Sequence, residues 1–482
     1  MTPSKYQEVI YEFIQFDSQS GQIKAVAGSG KTTTIVQGSN LVPLNLRAAF
    51  LAFNKPVADK LKSVLPQHVP SSTFNSLGCR TWYRYNRGCA TDEFKMDKIL
   101  KEVIERPETR QVYGGLVKKL VGLAKAHGMV PEPVKDQYWP LHEMDWEGLI
   151  DSYGVGDDLA EEGRLVKFAS DCLVRSLEMA DRVVDFDDQI YMPIVAGCLW
   201  DQFDIMFVDE AQDVNEVQRA MIMGCCEGRI IAVGDPRQAI YAFRGARSDS
   251  MDLFRDEFWC KELPLSICYR CPVCVVKEAK QIVPEIEWAP WAIEGEVRWE
   301  GKVGEVLQGD GFVCRLNAPV IDVAYGLIRR GLGAKVLGKE IGRGLIRLIE
   351  KMDSGSLEEL RRGLDSYKAK EVQKFRTQGR MDRAESVADR VNCLEAIIDG
   401  MLEGERTIAR LVRDVNGMFS DEGDAPIQLS TIHKAKGLEY RRVFYLQTKD
   451  WRGSGEQAKQ EINLRYVAIT RAKEELIYVT LT

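Results

Sequence analysis

The chain of 482 residues is short of several things. No apolar run approaches the ~18 residues that a membrane span needs, so no spanning helix is expected. The opening residues, with Pro3, Lys5 and Glu8, lack the charged-then-apolar pattern of a secretory leader, so secretion is not expected. Positive charge is not in excess: 65 Lys and Arg stand against 72 Asp and Glu, for a formal net charge of -7. That excludes a protein coated in positive charge but leaves room for a local basic groove. The 12 cysteines have no framework spacing, which fits a reducing compartment. Cys268, Cys271 and Cys274, with Cys260 upstream, form the one local group. It lacks a clear fourth partner for a zinc or iron–sulfur site, and small buried thiols are the preferred reading. Repeats and low-complexity tracts are absent. The length exceeds what one core supports, so about two to four domains are expected.

What is present centres on Ala25-Val26-Ala27-Gly28-Ser29-Gly30-Lys31-Thr32. Ile23, Ala25 and Val26 read as a short buried strand, and Thr32 to Val36 as the start of a helix. A strand, a glycine-bearing loop ending in Gly-Lys-Thr and a helix make a phosphate cradle. Gly28 and Gly30 allow positive φ and close backbone approach. Successive N–H groups and the helix N-terminus then face the anion. Lys31 is expected to reach the β- and γ-phosphates and the Thr32 hydroxyl to ligate Mg²⁺. The competing reading is an ordinary Gly-rich turn. The general pattern also wants Gly at position 25, where this chain has Ala25.

Further along, Arg47 to Phe53 reads as a second buried strand, with a helix starting at Asn54. Ser71 to Leu77 is a polar turn entering another helix. From Thr91 to Ala180 the spacing is helical, read as an insertion. Lys118, Lys119 and Lys125 there either touch a phosphate backbone or solvate a helix face. Asp185-Phe186-Asp187-Asp188 caps a helix. The strand Phe203 to Val208 then ends in adjacent carboxylates, Asp209 and Glu210. Such a pair suits a Mg–nucleotide site, with Asp209 holding the metal and Glu210 activating water; a solvated acidic strand end is the alternative.

A strand at Ile230 to Val233 runs into Gly234-Asp235-Pro236-Arg237-Gln238. Tyr241, Phe243 and Arg244 follow, aromatics interleaved with arginine, which read equally as a base-stacking platform or as core. Leu263 to Arg270 is strand-like. Phe312–Arg315, Asn317–Arg330 and Ala334–Leu337 form a strand–helix–strand unit, so a second unit of the βαβ type follows the first. Ser354 to Asn416 is helical and charged, with Lys368, Lys370, Lys374, Arg376, Arg380 and Arg383 as either nucleic-acid contacts or a solvated face. Gln428 to Ile432 leads into His433-Lys434-Ala435-Lys436-Gly437-Leu438-Glu439. Ala458 to Lys473 reads as a helix carrying Arg465, Tyr466 and Arg471, and Leu476 to Thr480 as the last strand.

Taken in order, these stretches resemble the UvrD/Rep-type superfamily 1 DNA helicases along almost the whole chain. The resemblance rests on Val208-Asp209-Glu210-Ala211-Gln212-Asp213, on Gly234-Asp235 with Gln238 and Ile240-Tyr241, on His433 to Glu439, and on Tyr466-Val467-Ala468 with Thr470-Arg471-Ala472. Ala25 is normal for that family. The wording around Lys55 looks most like the F-box DNA helicase branch, although no F-box is evident.

The resemblance implies an α/β fold of two RecA-like parallel-sheet motor domains with ATP in the cleft between them. Residues 1–90 and 185–260 would form the first, with a helical insertion at 91–184. Residues 261–341 and 426–482 would form the second, with a shorter insertion at 342–425. ATP and Mg²⁺ are the implied cofactors. ATP contacts would come from Gln7, Ala27, Gly28, Ser29, Gly30, Lys31, Thr32, Thr33, Tyr269, Arg270, Glu439 and Arg471. Within that set Gln7 would read the adenine edge, Tyr269 stack on the base and Glu439 meet the ribose. Thr32 and Asp209 would serve the metal, with Lys31, Glu210, Gln238, Arg270 and Arg471 at the reacting phosphate. Asn54, Thr73, Tyr241, Phe243, Arg244 and His433 would contact DNA. Phe243 stands where Trp is usual, which predicts weaker stacking, and Asn75 stands where His is usual after Thr73-Phe74.

The implied activity is DNA-stimulated ATP hydrolysis driving 3′-to-5′ movement on single-stranded or partly duplex DNA. The alternatives are a motor that strips bound proteins with little unwinding, and an ATP-gated nucleic-acid clamp. RNA is not excluded as a track. A cytoplasmic, nucleoid or nuclear location is expected. With the last motif close to the final residue, no nuclease domain or partner-binding tail is expected.

Overall fold

The protein is described by a computed structural model over residues 2–131, 141–153, 155, 162–240, 249–377, 381–420, 425–448 and 456–481. The chain divides into two compact units: Met1–Ala25 with Gly30–Ser266, and Val26–Ser29 with Ile267–Thr482.

The first unit is built on a six-stranded, fully parallel sheet. Its order is Lys261–Leu265, Gly21–Ala25, Cys226–Gly234, Phe203–Val208, Ala48–Ala52, Ser71–Thr73. Alternate side chains of a strand face opposite sides of a sheet. Ile205, Phe207, Ile231 and Val233 accordingly pack on one face with Ile10, Phe13 and Ile14 of the helix Lys5–Phe16. Phe50 and Phe207 stack there at 5.9 Å. Met206, Val208, Ile230 and Ala232 pack on the other face, in one continuous core with the helices of the insertion. Covering both faces makes these strands apolar without alternation, the pattern of parallel sheets. Each fully buried side chain of this size stabilises by about 1.5–3 kcal/mol.

The insertion is made of the helices Lys95–Val103, Pro107–Ala126, Trp146–Tyr153 and Glu162–Glu178. A two-residue parallel bridge, Ala90–Thr91 with Val183–Val184, ties its ends together. Lys125 does not face solvent as the lysine pattern allowed. It is 2% exposed, with Nζ 3.0 Å from Asp185 Oδ2 and 2.8 Å from Asp188 Oδ1. Lys95, fully buried, holds Asp188 Oδ2 at 2.6 Å. Lys118 pairs with Asp97, and Lys119 donates to the Tyr153 carbonyl. The Asp185–Asp188 stretch is therefore the anionic half of a buried charge cluster, and it also caps the helix that follows, the Asp188 N–H donating to Asp185 Oδ1 at 2.8 Å.

The second unit carries a seven-stranded parallel sheet. Its order is Glu296–Arg298, Ala472–Thr480, Tyr440–Gln447, Gly311–Cys314, Ile427–Thr431, Ala334–Leu337, Phe419–Ser420. Phe312, Leu429, Phe444 and Ile477 share one core with Leu345, Leu360, Leu394, Ile397 and Leu411 of the helical segment. That segment is the helices Lys339–Met352, Leu357–Thr377, Met381–Gly400 and Ile408–Met418. Lys368 binds Asn392 and Glu395, and Lys374 pairs with Glu371, so these two belong to intrahelical and helix–helix contacts. Arg380 and the side chain of Arg383 lie outside the described residues.

Three expectations need correcting. The strand-like run Leu263–Arg270 is two strands: Lys261–Leu265 joins the first sheet, while Ile267–Cys268 pairs with Glu287–Trp288. The boundary expected at 260/261 accordingly falls after Ser266, because the edge strand pairs with Gly21–Ala25. The helix expected to end at Lys473 stops at Ile469, and Ala472 already begins a strand.

Removing one partner of a buried ion pair leaves an uncompensated charge and costs about 3–5 kcal/mol. Lys125→Ala, which strands Asp185 and leaves Asp188 with Lys95 alone, is expected to lower unfolding free energy by that amount in denaturant titration. A loss under ~1 kcal/mol would contradict the role assigned to the cluster.

Candidate nucleotide site and strand contacts

Three neighbouring strands of the first sheet end on the same edge. Gly21–Ala25 runs into the glycine loop, Phe203–Val208 into Asp209-Glu210, and Cys226–Gly234 into Asp235. The carboxyl ends of parallel strands are where such sheets bind ligands. Gly28 (φ 67°) and Gly30 (φ 75°) are left-handed, and Gly30 caps the helix Lys31–Ser39. The Ser29 hydroxyl is buried there with no hydrogen-bond partner.

Lys31 is the hub of this edge. Its Nζ donates to Glu210 Oε2 at 2.7 Å. Burial works against its charge, but Glu210, Asp235 and Asp209 outweigh burial and hold the ammonium above its ordinary range. Thr32 Oγ1 donates to Asp209 Oδ2 at 2.7 Å. Burial, and next the neighbouring Glu210, push Asp209 up to about 6 against the pull of Lys31 and Thr32. Asp235 is pushed up to about 6 by burial, opposed by Lys31 and Gln238. Three carboxylates thus surround one ammonium, leaving this edge with an excess of negative charge. The unpartnered Ser29 hydroxyl, the left-handed glycine loop and the Thr32–Asp209 pair fit a Mg–triphosphate.

Glu210 itself is left-handed (φ 52°), a conformation costing a non-glycine residue about 1–2 kcal/mol. Gln212 holds it there. Gln212 Nε2 donates to Glu210 Oε2 at 2.6 Å, and its Oε1 accepts from the Asp235 N–H at 3.0 Å. Only glycine fits at 234, where a Cβ would lie 2.6 Å from Gln212 Oε1. Gln238 Nε2 donates to Asp235 Oδ2 at 2.6 Å. Gln212 and Asp235 were missed as site residues from sequence, although a carboxylate ending a strand beside the loop strand was a legible signal.

Other expected contacts have local duties. Gln7 completes the capping box of its own helix and donates to Thr34 Oγ1 at 3.0 Å. Asn54 and Thr73 are helix N-caps, accepting from the N–H groups of Val57 and Ser76. Asn75 donates to the Phe186 carbonyl at 2.6 Å. Thr33 is exposed in the first turn of the loop helix. Tyr241, Phe243 and Arg244 lie outside the described residues.

In the second unit Arg270 Nε donates to Glu439 Oε1 at 2.7 Å and Nη1 to the Thr470 carbonyl at 3.2 Å. Glu439 also pairs with Lys473 at 2.9 Å. Arg471 is 1% exposed and bonds only neutral acceptors: the Val467 and Leu438 carbonyls and Thr470 Oγ1. The nearby Glu474 and Glu475 pair with Arg441 and with Arg298 and Arg442, not with Arg471. Burial, then Arg270, lower the Arg471 guanidinium to about 10, so it stays charged at neutral pH. Among the described residues it has no carboxylate in ion-pair contact, which leaves a desolvated cation ready for an anion. Tyr269 stacks on Trp291, with ring centroids 5.7 Å apart. His433 lines a cavity of about 240 Å³ with Arg315, Asn317, Thr431 and Lys434. Burial, then Arg315 and Lys436, lower it to about 4, so its ring is neutral. Cys268 and Cys271 are buried, the Cys271 N–H donating to Cys268 Sγ at 3.4 Å.

Comparison with known proteins agrees with this arrangement. Residues 158–259 match the UvrD/REP helicase N-terminal domain and residues 332–482 the UvrD-like helicase C-terminal domain. F-box DNA helicase protein 1 of Schizosaccharomyces pombe is 23% identical over 95% of this chain and 55% of its own length. F-box DNA helicase 1 of Gallus gallus is 24% identical over 95% of this chain and 47% of its own. DNA helicase II of Escherichia coli (strain K12) is 23% identical over 49% of this chain and 34% of its own. The chain spans about half the length of the two F-box helicases it matches. With the two halves of one family matched in order, one in each unit, the chain belongs to the UvrD/Rep-type superfamily 1 helicases.

Proposed function

We propose that the chain is an ATP-driven motor on single-stranded DNA that moves 3′ to 5′ and couples hydrolysis of the β–γ phosphoanhydride to strand separation. The observation that carries this reading is the Lys31 ammonium held among Glu210, Asp235 and Asp209 behind the left-handed glycine loop. Lys31 leaves Glu210 for the phosphates, and the Ser29 hydroxyl and loop N–H groups cradle them. Glu210, released, is the base that takes a proton from the attacking water. Thr32 and Asp209 would hold Mg²⁺, which when bound neutralises charge on the phosphate oxygens. Gln238 senses the γ-phosphate from its seat on Asp235. Arg270 and Arg471 act as arginine fingers, a role supported by the absence of a carboxylate partner on buried Arg471. Tyr269 stacks on the adenine, Gln7 reads its edge and Glu439 meets the ribose.

The track is proposed to run over Asn54, Thr73, Tyr241, Phe243, Arg244 and His433. His433 is proposed to meet the strand as a neutral hydrogen-bonding ring, because its neighbours Arg315 and Lys434 are paired with Glu461 and Glu385 and with Glu340. The helical insertions serve as accessory subdomains. No helix among the described residues is long and apolar enough to cross a membrane.

Lys31→Ala and Glu210→Gln are each expected to abolish single-strand-stimulated ATP hydrolysis, while Glu210→Gln still binds ATP because only a base is lost. Near-normal turnover in either variant would sink the assignment. For Arg471→Ala, turnover should fall ~10³–10⁵-fold, as expected for an arginine finger. ATP affinity should stay within about tenfold, ~1.4 kcal/mol. Nucleotide titration, turnover and thermal unfolding separate that outcome from loss of the fold. Duplexes with a 3′ or a 5′ single-stranded tail test the motor itself. Unwinding from the 3′ tail is expected; unwinding from the 5′ tail reverses the polarity. ATP turnover without unwinding favours the protein-stripping motor, and ATP binding without DNA-dependent turnover favours the clamp.

A further inference from the structure

The segment after Tyr269 has a feature that the phosphate and strand contacts leave unused. Ile267–Cys268 and Glu287–Trp288 form a two-stranded parallel ribbon apart from the main sheet. The Ala289 N–H donates to the Cys268 carbonyl at 3.2 Å, and the Ala292 N–H to the Ala289 carbonyl at 2.9 Å. On the far side of this turn, the Val273 and Cys274 N–H groups donate to the Ile293 and Glu294 carbonyls at 2.9 and 3.0 Å. The turn is thus fastened at both ends to the residues that flank Tyr269-Arg270.

At its tip sits Trp291, 62% exposed. A large aromatic in solvent on a pinned turn adds almost nothing to the core. Its ring instead stacks on Tyr269, with centroids 5.7 Å apart and planes at 21°. Among the described residues no other ring and no cation stacks on Tyr269.

We propose that Trp291 is a positioning residue for the nucleobase: its indole fixes the Tyr269 phenol in the plane on which the base stacks, giving a base–phenol–indole layer. The inference rests on the proposed function, because it takes Tyr269 as the base-stacking ring. Immobilising one side chain on binding costs roughly two- to tenfold in a binding constant. Without the indole, the phenol regains rotamer freedom, and each binding event must freeze it again. The benefit reaches only ligands that carry a base; the phosphates are held by other residues.

The test uses the full chain with saturating single-stranded DNA. It compares KM for ATP, kcat, and inhibition by tripolyphosphate, which has no base. Trp291→Ala is expected to raise KM for ATP about two- to tenfold, the cost of ordering the freed phenol. Its kcat should stay within about twofold, and tripolyphosphate inhibition should be unchanged. Trp291→Phe, which keeps a ring, should restore most of the affinity. An unchanged KM in Trp291→Ala beside normal wild-type turnover overturns this inference alone. So does equal weakening of ATP and tripolyphosphate, or a phenylalanine variant as poor as the alanine one. Failure of the unaltered chain to hydrolyse ATP overturns the underlying reading and this inference with it.

Discussion

One ammonium facing three carboxylates is the constraint on which the first unit depends. Lys31, Asp209, Glu210 and Asp235 come from three strands that are neighbours only because the sheet order interleaves distant parts of the chain. Lys31 is held by Glu210, the carboxylate proposed as the base. The arrangement is therefore stable and idle in one step. On the proposed reading, displacing the ammonium toward an anion both binds the ligand and frees the base. The left-handed backbone of Glu210 and the bridge through Gln212 are the costs of keeping that carboxylate aimed.

The second unit poses the complementary problem. Arg471 is a cation out of water, compensated by two carbonyls and a hydroxyl rather than by a carboxylate. Such a group gains most from an incoming anion, because the desolvation cost has already been met by folding. Arg270 differs: its Glu439 partner, also bound to Lys473, keeps it oriented and partly neutralised. The two arginines thus have unequal environments, and Arg471 stands to change more when a ligand arrives.

Much of this was legible in the sequence because it is local. The strand Phe203–Val208 and the loop before Lys31 are runs whose residue types fix their conformation. Two successive strand–helix runs pointed to a second βαβ-type unit, and the resemblance to the helicase family implied the two-sheet architecture. What was not legible depends on contacts distant in sequence. Lys125 looked like a surface lysine until Asp185 and Asp188 came to meet it. The break at Ser266 is set by pairing of Lys261–Leu265 with Gly21–Ala25, which no local pattern encodes. Arg471 sat within helical spacing, yet the chain leaves the helix at Ile469 so that Ala472 can pair with Tyr440. Trp291 carried no motif at all, and only its ring geometry against Tyr269 brings it forward.

The central claim is that the Lys31-centred cluster is an ATP-hydrolysing site governed by a nucleic-acid track. The most direct measurement is Mg–ATP turnover by the unaltered chain, with and without single-stranded DNA, across a salt series. The account predicts turnover that DNA raises, with a stimulation that weakens as salt displaces the phosphate contacts. Turnover indifferent to DNA at every salt concentration, or no turnover at all, would contradict it.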